Sequence, residues 1–226
     1  MATYERLRAG IDHAMRAAEP ARVDALRQVL HRIGDPDQGL AIIHIAGTNG
    51  KGSTGAFIAQ ALQNAGYRVG HFSSPVIGSE LKQTQINHQP ISADAYAAAM
   101  TKIMTQAAIT ASAFTDFEWD VLVTLVWFAE QACDWVLLEA GLGGATDATN
   151  AIASPKAVVF THIALDHTTI LGPTVAAIAA NKAQIIKPQT TVFIAPHQDP
   201  AAGAVLRQTP RANGAAAVHQ AHAADR

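Results

Sequence analysis

A short glycine-rich segment early in the chain carries the strongest chemical signal of the sequence. Residues 47–54 read Gly-Thr-Asn-Gly-Lys-Gly-Ser-Thr, between an apolar run and a stretch with helical periodicity. Glycines let the backbone turn tightly, so that N–H groups at a helix start can approach phosphate oxygens. Lys51 adds a full positive charge, and the hydroxyl of Ser53 or Thr54 can reach a magnesium ion. We therefore predict a phosphate-binding loop made of Gly47, Thr48, Asn49, Gly50, Lys51, Gly52, Ser53 and Thr54.

This loop departs from the common GxxxxGK[ST] pattern. Gly52 follows the lysine directly, and Gly47 stands only three residues before Gly50. The alternative is a glycine-rich turn that binds nothing. Because a lysine between two glycines at a helix start is hard to explain by backbone needs alone, we prefer the phosphate-binding interpretation.

A carboxylate follows a later apolar run. Glu139 ends the run that begins at Trp135, and the glycine-rich segment 141–144 comes directly after it. In α/β proteins the carboxyl ends of parallel strands hold ligand-binding groups, and magnesium prefers oxygen ligands. Glu139 is therefore a candidate magnesium ligand. The alternative is a carboxylate that only caps a flexible loop.

The elements that must position these residues alternate between strands and helices. Apolar runs predict strands at 41–46, 67–73, 135–139, 157–163 and 191–195, with a weak strand at 215–218 and an irregular hairpin at 81–91. Helical periodicity predicts helices at 3–18, 21–33, 53–65, 92–112, 117–131 and 175–185, with one more after residue 201. This alternation predicts an α/β fold with a mostly parallel sheet flanked by helices on both faces.

Composition limits the classes of protein to which the chain can belong. It has 226 residues, 49% of them hydrophobic and 15% charged, with a net charge of −2, so it can bury one large core. Blocks of like charge are missing, which argues against nucleic-acid and membrane-surface binding. Apolar runs of about 20 residues, long enough to span a membrane, are missing too. The single cysteine, Cys133, fits a reducing cytoplasm.

Taken together, the motifs resemble those of the folylpolyglutamate and dihydrofolate synthases, which belong to the Mur ligase superfamily. The phosphate loop matches from His44 to Ser53, and the resemblance covers nearly all of residues 20–200. The other matching segments are Ser73-Ser74-Pro75, Leu138-Glu139-Ala140-Gly141-Leu142-Gly143-Gly144, Asp147-Ala148-Thr149-Asn150, Thr161-His162-Ile163-Ala164-Leu165-Asp166-His167 and Asn181-Lys182-Ala183-Gln184-Ile185-Ile186-Lys187-Pro188.

The resemblance implies a set of site residues and a fold like the Mur ligase central domain. The implied catalytic residues are Lys51, Lys182 and His167, and the cofactors are ATP and magnesium, with two metal sites. The implied metal ligands are Ser53, Ser74, Glu139, His167 and a carbamylated Lys182, with Asp166 supporting His167. Alternatives stay open at several of these positions: a plain strand-ending turn for Ser74, and a plain surface lysine for Lys182. Two more concern packing: a packed or hydrogen-bonded side chain for His162, and local loop bonds rather than substrate contacts for Asp147 and Asn150.

The implied activity is that of an ATP-dependent carboxylate–amine ligase. Such an enzyme phosphorylates the terminal carboxylate of a folate and then joins L-glutamate to it. We expect folate and L-glutamate as partners, no nucleic acid, no membrane, and a cytoplasmic monomer. One alternative is a truncated nucleotide-binding module without catalysis, and another is a Mur-type ligase that acts on a peptidoglycan precursor.

Three departures from the family pattern bear on this expectation. Lys82-Gln83 stands where the family usually has Glu-Arg in the loop that meets the pterin, and Gln184 replaces a usual glycine. The Asp-x-Ala-His-Asn-Pro segment of the family's C-terminal domain is not found in the sequence. We therefore expect residues 1–226 to form one ATP-binding domain, incomplete at its C-terminal end, with the C-terminal glutamate-ligase domain absent.

Overall fold

The computed structural model describes residues 2–14, 19–75 and 78–221, and within these ranges it forms an eight-stranded sheet. The strands are β1 (Ala41–Ala46), β2 (Val69–Phe72), β3 (Thr84–Ile86), β4 (Gln89–Pro90), β5 (Trp135–Glu139), β6 (Ala157–Phe160), β7 (Thr191–Ile194) and β8 (Ala217–Gln220). Their order across the sheet is β4-β3-β2-β5-β1-β6-β7-β8. Six neighbouring strands, from β2 to β8, are parallel, and the β3–β4 hairpin adds to β2 in antiparallel orientation.

Helices connect the parallel strands and cover both faces of the sheet. They are α1 (Ala2–Arg8), α2 (Pro20–Arg32), α3 (Lys51–Asn64), α4 (Ala93–Ala107), α5 (Asp116–Glu130), α6 (Thr168–Leu171), α7 (Val175–Lys182) and α8 (Pro200–Ala212). Within the described ranges, no helix is both long and apolar enough to cross a membrane. The predicted α/β fold with a mostly parallel, helix-flanked sheet is confirmed.

Alternation along the strands assigns each side chain to one face. On one face Ile42, Phe72 and Leu138 pack against α2, α4 and α5 in the largest hydrophobic cluster. On the other face Ile45 and Leu137 pack against α3. Successive strand residues point to opposite faces, so the strands buried on both sides have continuous apolar runs. A further cluster packs α7 and α8 against β6 and β7.

Several predicted boundaries were wrong. The helix predicted at 3–18 ends at Arg8, because the chain turns at Gly10 and Asp12 then pairs with Thr115 in a parallel bridge; residues 15–18 lie outside the described ranges. The helix predicted at 92–112 ends at Ala107, since Ala108 adopts a left-handed conformation with φ of 54°. The strand predicted at 157–163 stops at Phe160. Periodicity alone does not show where tertiary contacts end an element.

Candidate functional site

The predicted phosphate loop lies at the carboxyl end of β1, the central strand of the sheet. Gly50 has a φ of 86° and directly precedes α3, so its left-handed conformation turns the chain into the helix. The backbone N–H groups of Thr48 and Asn49 donate to the carbonyl of His162, at 2.9 and 3.1 Å. A Cβ atom on Gly47 would lie 1.8 Å from the hydroxyl of Thr161. A side chain at position 47 would therefore displace the loop or the segment after β6.

The side chains of the loop differ in their surroundings. Lys51 folds back and donates to the carbonyl of Gly47 at 3.2 Å. The hydroxyl of Thr48 bonds the carbonyl and the N–H of Ala164, both at 3.1 Å. Ser53 is exposed and Thr54 is half-buried in the first turn of α3. The loop is thus anchored to the segment that follows β6.

A cavity of about 480 Å³ opens beside the loop. Residues 48–52 form one side of it, and Ser73, Ser74 and Pro75 at the end of β2 form another, together with Glu139. Gly47, Ser53 and Thr54 do not line this cavity. The strand ends of β1, β2 and β5 therefore bring the loop, Ser74 and Glu139 to one place, as parallel strand ends do in α/β proteins.

Glu139 is a buried carboxyl group at the bottom of this arrangement, with 3% of its surface exposed. Burial raises its pKa to about 7, although the Lys51 ammonium and a hydrogen bond from the backbone N–H of Ser74 favour the charged form. A Cβ atom on Gly52 would lie 3.8 Å from Glu139 Oε2. The Glu139 carboxyl group thus faces the phosphate loop across a short gap, and within the described part of the chain Lys51 is the cation that acts on it.

Lys182 ends α7 and is buried, with 5% of its surface exposed. Burial and the nearby Lys51 lower the pKa of its ammonium to about 8, while Asp147 and Asp166 act in the opposite direction. The alternative that Lys182 is a plain surface lysine is therefore wrong, because its side chain is buried. Burial thus favours the neutral amine of Lys182 more than it is favoured in an exposed lysine.

The loop that connects Glu139 to the next element is held by buried side chains. Asp147 accepts from the N–H of Leu142 at 2.6 Å and from the N–H of Thr149 at 2.9 Å. The Thr149 hydroxyl donates to Asp147 at 2.5 Å, so its oxygen accepts from Nε2 of the fully buried His44, at 2.8 Å. Burial lowers the pKa of His44 to about 3, so the imidazole is neutral. This buried chain links the loop to the centre of β1.

The same loop touches the end of α7. The Asn181 side chain accepts from the N–H groups of Gly144 and Ala145, at 3.0 and 3.4 Å. A Cβ atom on Gly144 would lie 2.6 Å from the carbonyl oxygen of Lys182. Glycine at position 144 is therefore what allows the loop to approach Lys182 so closely. The loop after Glu139 therefore packs tightly against the end of α7, where Lys182 lies.

The local interpretation of Asp147 and Asn150 agrees with the structure. Asp147 bonds within its own loop, and the Asn150 amide donates to the carbonyl of Ala145 at 3.2 Å. The Asn150 carbonyl oxygen is buried without a partner among the described residues. Asn150 thus keeps one unsatisfied acceptor, which costs free energy unless something else donates to it.

His167 lies apart from the cavity. It precedes α6 with a left-handed φ of 45°, is exposed, and has its Nε2 3.6 Å from Asp166 Oδ1. In the described residues no three His, Cys, Asp or Glu side chains come together as a metal site. The predicted metal ligands that line the cavity are Ser74 and Glu139, so the described residues bring only part of the predicted ligand set together.

The donor set around the cavity suits magnesium and phosphate. Glu139 and Ser74 supply hard oxygen ligands, and the cavity lies between them and the loop amides. The buried Glu139 carboxyl has a raised pKa, which a divalent cation would lower by favouring the charged form. The residues present thus fit a magnesium ion and the phosphates of a nucleotide.

The departures at positions 82, 83 and 184 have local structural roles. Gln83 is buried and its carbonyl accepts from the N–H of Ser73 at 3.0 Å, while Lys82 is exposed. The Gln184 side chain is exposed and donates to the carbonyl of Ala180 at 3.3 Å, within its own helical segment. It is therefore directed along the surface of α7.

Sequence reasoning missed two parts of the site. His44 belonged to a matching motif but had no assigned role, and its bond to Thr149 depends on a partner 105 residues away. The available signal was a histidine in an otherwise apolar strand. The other part is the wall of the cavity formed by His71 on β2, with Gln85 and His88 of the β3–β4 hairpin. Single polar residues in a short strand and a turn carry no motif, so only the sheet pairing reveals them.

Strand order and loop position define an α/β domain with its phosphate loop at the carboxyl edge of a parallel sheet. A sequence model of the family described as "Mur ligase middle domain" matches residues 45–225. The chain therefore belongs to the Mur ligase middle-domain family, as the motif resemblance implied.

Individual relatives agree with this assignment. The dihydrofolate synthase/folylpolyglutamate synthase of Bacillus subtilis is 35% identical over 213 residues, which is 92% of this chain and 49% of the relative. The folylpolyglutamate synthase of Mycobacterium tuberculosis, solved with ADP, superposes with a TM-score of 0.82 at 28% identity, covering 97% of this chain and 50% of that one. The Escherichia coli FolC structure with DHPP and ADP gives 0.78 at 29% identity, with the same two coverages. The chain thus spans about half the length of the relatives it matches.

Proposed function

We propose that this chain is the ATP-binding part of a ligase that joins L-glutamate to the terminal carboxylate of a folate. The observation that carries the proposal is the buried Glu139 facing Lys51 and the phosphate loop across a cavity at the carboxyl edge of the sheet. The names of the relatives and the ADP in two similar structures support the choice of substrates.

The residues around the cavity fit phosphoryl transfer from ATP to a carboxylate. Lys51 and the N–H groups of the loop hold the β- and γ-phosphates at the start of α3. Glu139 and Ser74 would hold magnesium, which would neutralise charge on the phosphate oxygens. The folate carboxylate oxygen attacks the γ-phosphorus, the bond to the bridging oxygen breaks, and ADP leaves. The amine of L-glutamate then attacks the acyl carbon of the acyl phosphate, phosphate leaves, and the amine loses a proton.

For these residues the catalytic contribution is positioning and charge stabilisation. Loop residues Thr48 and Asn49 are fixed by the carbonyl of His162, so their backbone is already ordered before a nucleotide binds. Buried hydrogen bonds of Asp147 hold the segment between Glu139 and Lys182 in place. A preformed site of this kind avoids part of the ordering cost of binding.

We include carbamylation of Lys182 in the proposal. Its buried amine has a pKa lowered to about 8, so the neutral form is available to attack carbon dioxide. The neutral amine nitrogen forms a bond to the carbon of carbon dioxide and releases one proton, so that a neutral amine becomes an anionic oxygen donor. Such a group would add a magnesium ligand in a site where the described residues offer few carboxylates. Carbamate formation would be seen as a new signal in the NMR spectrum after exchange into isotopically labelled bicarbonate, and Lys182→Met would remove it.

His167 and Asp166 remain outside the cavity in this structure, and we propose a metal-binding role for His167 only in the nucleotide-bound form. The exposure of its imidazole leaves both ring nitrogens accessible. His167→Ala should weaken magnesium binding measured in the presence of a non-hydrolysable ATP analogue. Unchanged magnesium affinity in that variant would remove His167 from the site.

A second candidate is a nucleotide-binding module without ligase activity. The observation that favours it is that His167, one of the implied catalytic residues, is exposed and does not line the cavity beside the loop. Glutamate-dependent phosphate release from ATP with tetrahydrofolate, and a product heavier by one glutamyl unit, would show a working ligase. Stoichiometric Mg-ATP binding without such release would show the module.

The central experiment replaces the loop lysine. Lys51→Ala should abolish the thermal stabilisation of the chain by Mg-ATP, which for a ligand at 100 times its Kd corresponds to about 2.7 kcal/mol. Lys102→Ala is the matched control, because Lys102 is an exposed cation paired with Glu130 on the other side of the fold. Full nucleotide-dependent stabilisation of the Lys51→Ala variant would overturn the assignment of the loop.

A further inference from the structure

The cavity beside the phosphate loop extends past Ser74 to a second wall. This wall is formed by His71 on β2 and by Gln85 and His88 of the β3–β4 hairpin. His71 and Gln85 are direct cross-strand partners, so their side chains lie on the same face of the sheet. The same face carries Glu139, because residues 137 and 139 of β5 point to one side and Leu137 is the register partner of His71.

His71 occupies a position where a polar group has a cost. Its Nε2 is buried without a partner among the described residues. That nitrogen packs against α3, where a Cβ atom on Gly55 would lie 2.7 Å from it. The ring nitrogen left for the cavity is therefore Nδ1. An apolar β-branched residue would fill this strand position without the unsatisfied nitrogen, so folding does not explain the histidine.

His88 also occupies an unfavourable position. Asn87 and His88 form the two-residue turn of the hairpin, with φ values of 47° and 64°. Such turns favour Asn-Gly, because both central residues need a positive φ. A histidine with φ of 64° is more strained than glycine would be, and here its side chain lines the cavity. Strain of this kind at a cavity wall points to a function for the side chain.

The hydrogen bonds of the wall decide what it offers to a ligand. The Gln60 amide nitrogen donates to Asn64, so the Gln60 oxygen accepts from Nε2 of His88 at 3.1 Å. With its proton on Nε2, the ring of His88 leaves Nδ1 as an acceptor. The Gln85 amide nitrogen donates to the carbonyl of Lys82 at 2.6 Å, which leaves its carbonyl oxygen as a second acceptor.

His71 is the third polar residue of this wall, and it can either accept or donate a hydrogen bond. Burial, together with the nearby His88, lowers the pKa of His71 to about 4, so it carries no charge near neutral pH. Its Nδ1 accepts or donates according to its tautomer. Among the described residues, no arginine or lysine lines this part of the cavity. Gln83 is buried and does not line the cavity either.

We propose that His71, Gln85 and His88 form a wall of hydrogen-bond acceptors that binds N–H groups of the carboxylate substrate. The ligand chemistry is a neutral N–H donor, present in an amide or in an amino-substituted heterocycle. This inference rests on the proposed function, because it assumes that the carboxylate substrate enters beside the phosphate loop. The wall determines which part of that substrate is recognised, while Glu139 and Lys51 act on its reacting end.

The test uses two variants of the intact chain that should not harm its fold. His88→Gly creates the preferred Asn-Gly turn, so the hairpin should keep or gain stability while the side chain is lost. His71→Val places an apolar strand former in the buried position. Both should weaken binding of folic acid about tenfold in calorimetric titrations with magnesium and a non-hydrolysable ATP analogue, the effect of about one lost hydrogen bond. Nucleotide affinity should not change.

His219→Ala is the matched control, since His219 is an exposed histidine on β8 at the other edge of the sheet. Pteroic acid and p-aminobenzoylglutamate separate the sources of the N–H group, the first carrying the heterocycle without the glutamate amide and the second the amide without the heterocycle. A selective loss for either ligand supports the wall and identifies the source.

Wild-type folic acid affinity in both wall variants, or an equal loss in His219→Ala, would overturn the inference. Failure of the wild-type chain to bind folic acid at all would overturn it as well. Failure to bind the nucleotide would instead contradict the proposed function. The folic acid titrations are then repeated without nucleotide, where a selective loss in the two wall variants would still support the wall.

Discussion

Two ionisable residues of this site are buried at a cost in folding free energy. Glu139 and Lys182 are both buried, and burial shifts the pKa of each towards its neutral form, to about 7 and about 8. Burying such groups costs free energy that an apolar residue would not cost. Their presence at opposite ends of the 140–181 region agrees with the proposed site, in which a metal ion would compensate the charge of Glu139 and carbamylation would convert the Lys182 amine into a metal ligand.

Gly144 offers the sharpest test at this scale. We expect Gly144→Ala to destabilise the chain by roughly 2 kcal/mol or more, because the added methyl would meet backbone atoms of Lys182 that cannot move independently. Chemical denaturation would measure this change, and titration with Mg-ATP should show weaker binding because Lys182 is displaced.

Gly39→Ala is the control for that variant, since a Cβ atom at Gly39 meets nothing within 4 Å. It should be neutral or slightly stabilising, through the reduced entropy of the unfolded chain. Equal stability losses at positions 39 and 144 would show that the close approach to Lys182 is not what requires glycine.

At the scale of elements, the buried Arg8 of α1 forms ion pairs with other parts of the fold. The Arg8 guanidinium lies 3.0 Å from Asp120 of α5, 2.9 Å from Asp116 and 2.7 Å from Glu80. Tyr96 of α4 donates to Asp120 at 2.7 Å and accepts from Arg8. Glu80 begins the short helical turn that leads into β3, so this cluster also restrains one end of the hairpin that lines the cavity.

Replacing Arg8 should have a pH-dependent effect. Burial raises the pKa of Asp120 to about 6, against an ordinary value of 3.8, even with Arg8 present. Arg8→Met should therefore cost about 3–5 kcal/mol at pH 8, where Asp120 is left as an uncompensated buried charge. The loss should be smaller at pH 5, where the carboxyl can remain protonated in the folded state.

Denaturant titrations at pH 5 and pH 8 would measure both values. Arg32→Met is a suitable control, because the Arg32 side chain bonds only a backbone carbonyl, that of Ala107, among the contacts seen in the described chain. A loss of the same size at both pH values would show that packing of the arginine stem, and not its charge, is what matters.

The whole molecule combines buried groups that respond to acid in opposite directions. His44 and His71 have pKa values lowered to about 3 and 4, so the folded state binds fewer protons than the unfolded state below pH 6.5 and stability falls as the pH is lowered. Glu139 and Asp120 have raised pKa values, so the folded state keeps protons that the unfolded state loses. These carboxyl groups make stability rise as the pH is lowered towards 5.

Removing one carboxyl group should expose the effect of the histidines. Between pH 5 and 6, Glu139 is protonated in the folded state and ionised when unfolded. Glu139→Gln should therefore steepen the loss of stability on acidification by about 1.4 kcal/mol per pH unit, and it should stabilise the ligand-free chain at pH 8. Denaturation series across this pH range would test it; parallel profiles for the two proteins would contradict the raised pKa.

The same variant should lose its response to magnesium and nucleotide. A residue that destabilises the empty chain yet is required for ligand binding has the character of a functional group rather than a structural one. Retained Mg-ATP binding in Glu139→Gln, measured by the ligand-dependent shift in unfolding temperature, would show instead that Glu139 is a structural carboxyl group.

Much of this could be predicted from the sequence, because local patterns determine local structure. The glycines and lysine of residues 47–54 predicted a loop between a strand and a helix, and the alternation of apolar runs predicted the parallel sheet. Strand ends of a parallel sheet share one edge, which made Glu139 a candidate ligand at the end of its strand, whereas Ser74 was implied only by the family resemblance. The ends of the first helix and of β6 could not be predicted, since contacts with Thr115 and with the phosphate loop end them.

Only the tertiary structure decided how the remaining residues of the site are used. The bond from His44 to Thr149, the contact of Gly144 with Lys182 and the wall of His71, Gln85 and His88 join positions far apart in the chain. Such contacts depend on sheet order and strand register, and a single sequence specifies these through the packing of the whole core rather than through any local motif. The sequence by itself determined the family, the sheet and the position of the glycine-rich loop between β1 and α3. The pKa shifts and the second wall of the cavity arise from burial, which exists only in the folded chain.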